Sequence, residues 1–121
     1  MIENLYDLIG GQQTIKAATE RFYEKVLQDE RLRGFFAQAD MAHLRSRQVM
    51  FVSMLLGGRV YTGKDIRDAH ALARNQGMTH EHFDLFLKHF RDALEEVGVE
   101  PENAAKVIQP LESKRKVVLD T

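Results

Sequence analysis

The sequence predicts an all-α fold, and three observations carry that reading. Apolar residues recur mostly at spacings of three and four, strand-like alternation is scarce, and helix-breaking residues are few. Only two prolines and eight glycines interrupt the 121 residues. The glycines punctuate the chain at Gly10-Gly11, Gly57-Gly58 and Gly63, and then at Gly77 and Gly98. No internal repeat, low-complexity tract or linker divides the sequence, so residues 1–121 read as a single domain, too short to hold two cores.

The elements follow in order. After Gly10-Gly11 a helix runs to about Gln28, with Ile15, Ala18, Phe22 and Val26 facing inward and Tyr23 beside them. A short, irregular helical turn follows around Leu32 to Phe36. Asp40 is a good N-cap for a helix that runs to about Leu56 and stops at Gly57-Gly58, with Leu44, Gln48, Phe51, Val52 and Leu55 on its inner face. A brief helix around His70 comes next, flanked by loops. Thr79 caps the following helix, whose stripe is Phe83, Phe86, Leu87, Phe90, Leu94 and Val97. Pro101 suits the first turn of the last helix, which carries Ala104, Val107, Ile108, Leu111 and Val118. Pro110 lies inside that helix and should kink or interrupt it.

Composition excludes several function classes. Seventeen Lys and Arg balance eighteen Asp and Glu, for a net charge of -1. A general nucleic-acid or membrane-surface binder needs excess positive charge, so neither is expected. Lys114-Arg115-Lys116 is the one basic cluster and reads as a solvated helix end. With no cysteine there is no disulfide, thiol nucleophile or thiolate metal site. The first residues lack a signal-peptide pattern and no apolar stretch approaches a membrane span, which points to a soluble, cytoplasmic protein.

His70 stands out. In Ile66-Arg67-Asp68-Ala69-His70-Ala71-Leu72-Ala73 the helical period puts Ile66, Ala69, His70 and Ala73 on one face, so an imidazole lies among small apolar groups. A buried imidazole requires a partner. Two readings stand: a core histidine bonded to a nearby carbonyl, or an iron ligand beside space for a flat cofactor. Gln48 interrupts the apolar stripe of its helix, and Tyr23 adjoins a core phenylalanine. Each alone suits a polar tip reaching outward. Together with His70 they place three hydrogen-bonding groups inward on separate helices, as a buried ligand would need.

The chain resembles the truncated haemoglobins of the first group. The segments that carry the resemblance are Leu5-Tyr6-Asp7-Leu8-Ile9-Gly10-Gly11, Arg21-Phe22-Tyr23-Glu24-Lys25-Val26-Leu27, Phe35-Phe36, Asp40-Met41-Ala42, Gly57-Gly58, Tyr61-Thr62-Gly63, Ala69-His70 and His82-Phe83, in the family's order along essentially the whole chain. The resemblance implies a two-over-two helical sandwich around haem b. It makes His70 the proximal iron ligand, Phe36 the ring packed on the porphyrin, Tyr23 the distal tyrosine and Leu44 the residue facing the ligand. Gln48 lies one turn beyond Leu44. Arg47 falls near the haem propionates, and Phe51 and Ile66 match distal and proximal haem contacts. The physical chemistry agrees. A neutral imidazole leaves the opposite iron position open for a diatomic gas. Tyr23 and Gln48 can then donate to the charge that dioxygen gains.

Departures from the family pattern bear on attachment and coordination. Some relatives link a last-helix histidine to a haem vinyl group, but the stretch around Ser113-Lys114-Arg115 has none, so noncovalent haem is expected. Where some relatives close the sixth iron position with histidine or lysine, this chain has Arg47, whose guanidinium stays protonated. Val52 stands where relatives with an open gas tunnel carry a gating phenylalanine. His43, His80, His82 and His89 inherit no role. His43 is adjacent to Leu44 and so is expected to point away from the ligand, while His80 and His82 are expected to be solvated. The function implied is reversible dioxygen binding used to convert nitric oxide to nitrate, with carbon monoxide as another ligand and an unidentified reductase as partner. The alternatives are non-enzymatic oxygen storage, delivery or sensing, and a cofactor-free helical interaction module.

Overall fold

The computed structural model of the protein describes residues 4–57, 70, 74 and 77–120. The regular elements among them are all helical. They are α1 (Leu5–Leu8), α2 (Gly11–Gln28), a 3-10 turn (Arg33–Phe36), α3 (Met41–Leu56), α4 (His80–Glu96), α5 (Pro101–Glu112) and α6 (Arg115–Leu119).

Capping chemistry explains where the helices begin. The Asn4 side chain accepts from the Asp7 N–H at 2.9 Å and opens α1. Gly10 and Gly11 then adopt positive φ values of 109° and 71°. A side chain at Gly10 would also press into the Thr14 hydroxyl, so only glycine makes this turn into α2 without strain. Asp40 caps α3 by accepting from the His43 N–H at 3.2 Å. Thr79 caps α4 through a reciprocal box: its hydroxyl accepts from the His82 N–H, and its own N–H donates to His82 Nδ1 at 3.0 Å. His82 is half-buried rather than solvated as expected, because it closes the cap and lies edge-on to Phe35 with ring centroids 5.1 Å apart. Thr79→Ala should lower stability by about 1 kcal/mol. Denaturant unfolding of the full chain checks this, and an unshifted midpoint would show that the box contributes nothing.

Two helix pairs, α2 with α3 and α4 with α5, stack mainly through the contact of α2 with α4. Ile15, Ala18 and Val26 of α2 are fully buried against Ala93 and Leu94 of α4 and against Ala104 and Val107 of α5. Among the described residues, no helix is long and apolar enough to cross a membrane.

The structure corrects two local expectations. On α3 the deeply buried residues are Val52 and Leu56, whereas Leu55 is half-buried, so the inner face has rotated by one residue at the C-terminal end. The last helix is interrupted, as expected, although the break falls after Pro110 rather than at it. Pro110 has no N–H to give the preceding turn, and α5 ends at Glu112 before α6 begins at Arg115 with Val118 buried. The cluster around Arg115 is not simply solvated. Arg115 donates to Glu112 at 2.8 and 2.9 Å, to the His80 carbonyl at 3.2 Å and to Asp84, and it lies 4.7 Å from the centre of the Phe83 ring. That network clips α6 onto the start of α4, and Arg74 adds a hydrogen bond to the Val118 carbonyl at 2.9 Å.

Candidate functional site

The inward aromatic stripes of α2 and α4 meet the 3-10 turn in a cluster of rings. Phe22 packs edge-on to Tyr23 and to Phe90, with centroids 4.9 and 5.6 Å apart. Phe36, brought in by the 3-10 turn, meets Tyr23 edge-on at 5.7 Å and Phe86 at 6.0 Å. These rings do not close into a solid core. With the inner face of α3 they surround a cavity of about 370 Å3.

The residues expected to form a site share that cavity. Tyr23, Phe36, Leu44, Arg47, Gln48, Phe51 and His70 all line it. Ile66 lies outside the described residues. His70 is half-buried, and its carbonyl accepts from the Arg74 N–H at 3.0 Å. Phe51 and Leu44 are also half-buried, while Arg47 is exposed.

The polar centre of the cavity is a phenol–amide pair. Tyr23 is only 4% exposed, and its hydroxyl donates to Gln48 Oε1 at 2.9 Å. α2 and α3 therefore bring together the two residues that interrupt their apolar faces. The bond leaves the Gln48 amide N–H groups for another acceptor. Burial pushes the Tyr23 phenol up to about 12, opposed by the positive charge of Arg45, so Tyr23 stays a neutral hydrogen-bond donor through the physiological range. The sign of the linkage follows. An acid with a raised folded pKa makes folding less favourable as pH climbs from its unfolded value of 10.0 towards about 12. Wild-type protein should therefore lose stability across that interval relative to Tyr23→Phe. Unfolding midpoints measured at pH 9 and above check this, and parallel profiles would contradict it.

His43 departs from expectation. It was expected to point away from the site, yet it lines the cavity at an exposed position. Arg47 stands four positions after it, so on a helix the two share a rim. Lys114, from the junction of α5 and α6, is a half-buried third basic side chain in the lining, and among the described residues no Asp or Glu joins them. Lys114 had no sequence signal as a site residue, because an expected interruption near Pro110 does not tell which way the chain turns after it. Phe83, Phe86, Leu87 and Phe90 read in sequence as core stripe, and the structure shows them lining the cavity as well. Val52, expected on a gas path, is also in the lining and is 2% exposed.

The donor set defines the kind of group that fits. Most of the lining is apolar and aromatic, with an imidazole on one segment and a neutral donor pair on α2 and α3. Arg47, His43 and Lys114 are all basic. A flat, largely apolar ring system that takes an axial nitrogen ligand and bears carboxylates matches this arrangement.

Comparison with known proteins agrees with the geometry. Residues 4–119 match the family model described as bacterial-like globin. The chain is 39% identical over 108 residues to a group 1 truncated haemoglobin of Synechocystis sp., covering 88% of this chain and 87% of that one. The Fe(III) structure of truncated haemoglobin from Tetrahymena pyriformis superposes with a TM-score of 0.85 at 36% identity, over 97% of this chain and 98% of that one. The 2/2 haemoglobin of Synechococcus sp., in the cyanomet state with covalently attached haem, gives 0.89 at 33% identity, over 98% and 100% of the two chains. The fold, the cavity and these matches agree: the chain belongs to the bacterial-like globins and, within them, to the group 1 truncated haemoglobins, haem proteins that bind small gases.

Proposed function

We propose that this globin holds haem b without a covalent bond and uses bound dioxygen to oxidise nitric oxide to nitrate, with a reductase supplying electrons. The observation that carries the reading is the buried Tyr23–Gln48 hydrogen bond at 2.9 Å in the wall of the cavity that His70 also lines. When bound, haem supplies a redox-active iron with one coordination position open to a diatomic gas.

The residues have distinct parts in this proposal. His70 would hold the haem iron through its imidazole. Phe36, Phe51 and Leu44 line the cavity and would pack on the haem and exclude water, which strengthens every hydrogen bond made inside. Ile66 is assigned to the proximal side by the family pattern. Arg47 pairs with a haem carboxylate at the rim, and its permanent charge keeps it from binding iron. Tyr23 and Gln48 are the donors. In the described structure the phenol proton goes to Gln48 Oε1, which orients the amide N–H groups. A guest that has gained negative charge is a stronger acceptor than an amide oxygen, so both donors turn towards it. Leu44 cannot donate and shapes the space between them.

The overall reaction joins one nitric oxide and one dioxygen with one electron to give nitrate. The O–O bond breaks, and both oxygen atoms end on nitrogen. The absence of a histidine near Ser113 supports noncovalent haem, because no imidazole is there to alkylate a vinyl group. Rapid mixing of reduced, oxygen-equilibrated protein with nitric oxide tests the proposal. Nitrate should form stoichiometrically within the mixing burst. Survival of nitric oxide alongside the oxygen-loaded spectrum would rule it out.

A further inference from the structure

Asp29 and His89 form a nearly buried pair that neither the fold family nor the cavity explains. His89 Nε2 lies 2.8 Å from Asp29 Oδ2, and the two side chains are 15% and 8% exposed. Neither residue lines the cavity. Asp29 also organises the whole turn between α2 and the 3-10 turn. Its N–H donates to the Val26 carbonyl at 3.1 Å, and its own carbonyl accepts from the Leu32 and Arg33 N–H groups at 3.0 and 2.9 Å. Its carboxylate accepts from the Arg31 backbone N–H at 2.9 Å and from the Arg31 guanidinium at 3.0 Å twice. The Arg31 bonds first, and His89 second, hold the Asp29 carboxyl well below the usual carboxylate range.

The segment held this way matters to the site. A 3-10 turn of four residues has weak internal hydrogen bonding and takes its position from outside contacts. This turn carries Phe36, whose ring meets Tyr23 edge-on at 5.7 Å. On α4, His89 follows Phe86 by three residues and precedes Phe90 by one, and both rings line the cavity. The bond from Asp29 to α4 therefore adds a polar tie between the 3-10 turn and α4 beside the ring contact of Phe36 with Phe86.

We infer that the Asp29–His89 pair is a positioning device: it fixes the 3-10 turn against α4, so that Phe36 holds the Tyr23 phenol on Gln48. The inference rests on the reading of Tyr23 and Gln48 as ligand donors, and the test separates the two.

Haem-loaded His89→Leu, His89→Gln and Asp29→Asn are compared with wild type and Tyr23→Phe. In the carbon monoxide-bound state, the NMR resonances of the Tyr23 and Phe36 rings should shift in His89→Leu and return in His89→Gln, whose amide can still donate to Asp29. Oxygen dissociation should quicken about fivefold in His89→Leu, the equivalent of one ordinary hydrogen bond, with carbon monoxide release little changed. A purely structural latch would lower the melting temperature and move neither readout. Unmoved ring resonances would overturn the inference, as would moved resonances with unchanged oxygen dissociation when Tyr23→Phe quickens it. If Tyr23→Phe leaves oxygen dissociation unchanged, the donor reading fails, while shifted rings in His89→Leu still support positioning. Should His89→Leu fail to fold, Asp29→Asn weakens the same bond while keeping an acceptor for Arg31, and it is read in the same way.

Discussion

His70→Ala should abolish stable haem binding. Haem content should fall to a small fraction of the stoichiometric amount, and any residue that remains should show a changed axial ligand in its visible spectrum. The expectation follows from what the cavity offers. The imidazoles in its lining are His70 and His43, and His43 sits on an exposed rim position of α3 beside Arg47. Among the described residues the remaining lining is apolar or cationic apart from Tyr23 and Gln48, so removing His70 leaves hydrophobic contact and carboxylate pairing to hold the group. Neither supplies an iron bond. Adding imidazole to the variant should restore a wild-type-like spectrum, because a free ring can occupy the space of the deleted side chain. Unchanged haem content and spectra in His70→Ala would overturn the ligand assignment.

The second large effect concerns the donors. Tyr23→Phe and Gln48→Leu should each speed oxygen dissociation on the order of tenfold to a hundredfold, since a hydrogen bond to a charged partner in a sheltered site is worth roughly 1.5–3 kcal/mol. Carbon monoxide gains less charge on binding, so its release should change far less. Gln48→Leu has a further consequence. It strands the buried phenol, which now donates to Gln48 Oε1, and a stranded buried donor carries a desolvation cost. Gln48→Leu protein should thus be less stable than Tyr23→Phe protein, in which the amide oxygen loses a partner but the ring remains packed.

Much of this was legible along the chain because local chemistry encodes it. Asp40, Thr79 and Pro101 mark helix starts through groups that satisfy or omit a backbone N–H, and each stands at the start observed. Tyr23 and Gln48 drew notice because each breaks an apolar face, which a helical period exposes. What escaped were relationships between distant residues. Nothing local announces that Tyr23 bonds to Gln48, twenty-five residues away, or that His89 reaches Asp29, sixty residues away. Arg115 looked like part of a solvated basic run because its partners Asp84 and His80 lie on another helix. His43 looked turned away because periodicity gives a direction around a helix axis but not the width of the cavity that the helix borders. The proximal contact of Ile66 lies outside the described residues.

The most direct measurement is a double-mutant cycle on oxygen dissociation with Tyr23→Phe, Gln48→Leu and the combined variant. Tyr23 and Gln48 share a hydrogen bond, so the combined variant should lose clearly less than the sum of the two single losses. Carbon monoxide dissociation should stay close to wild type in all three. Oxygen dissociation rates indistinguishable from wild type in all three would contradict a pocket that stabilises oxygen through this pair.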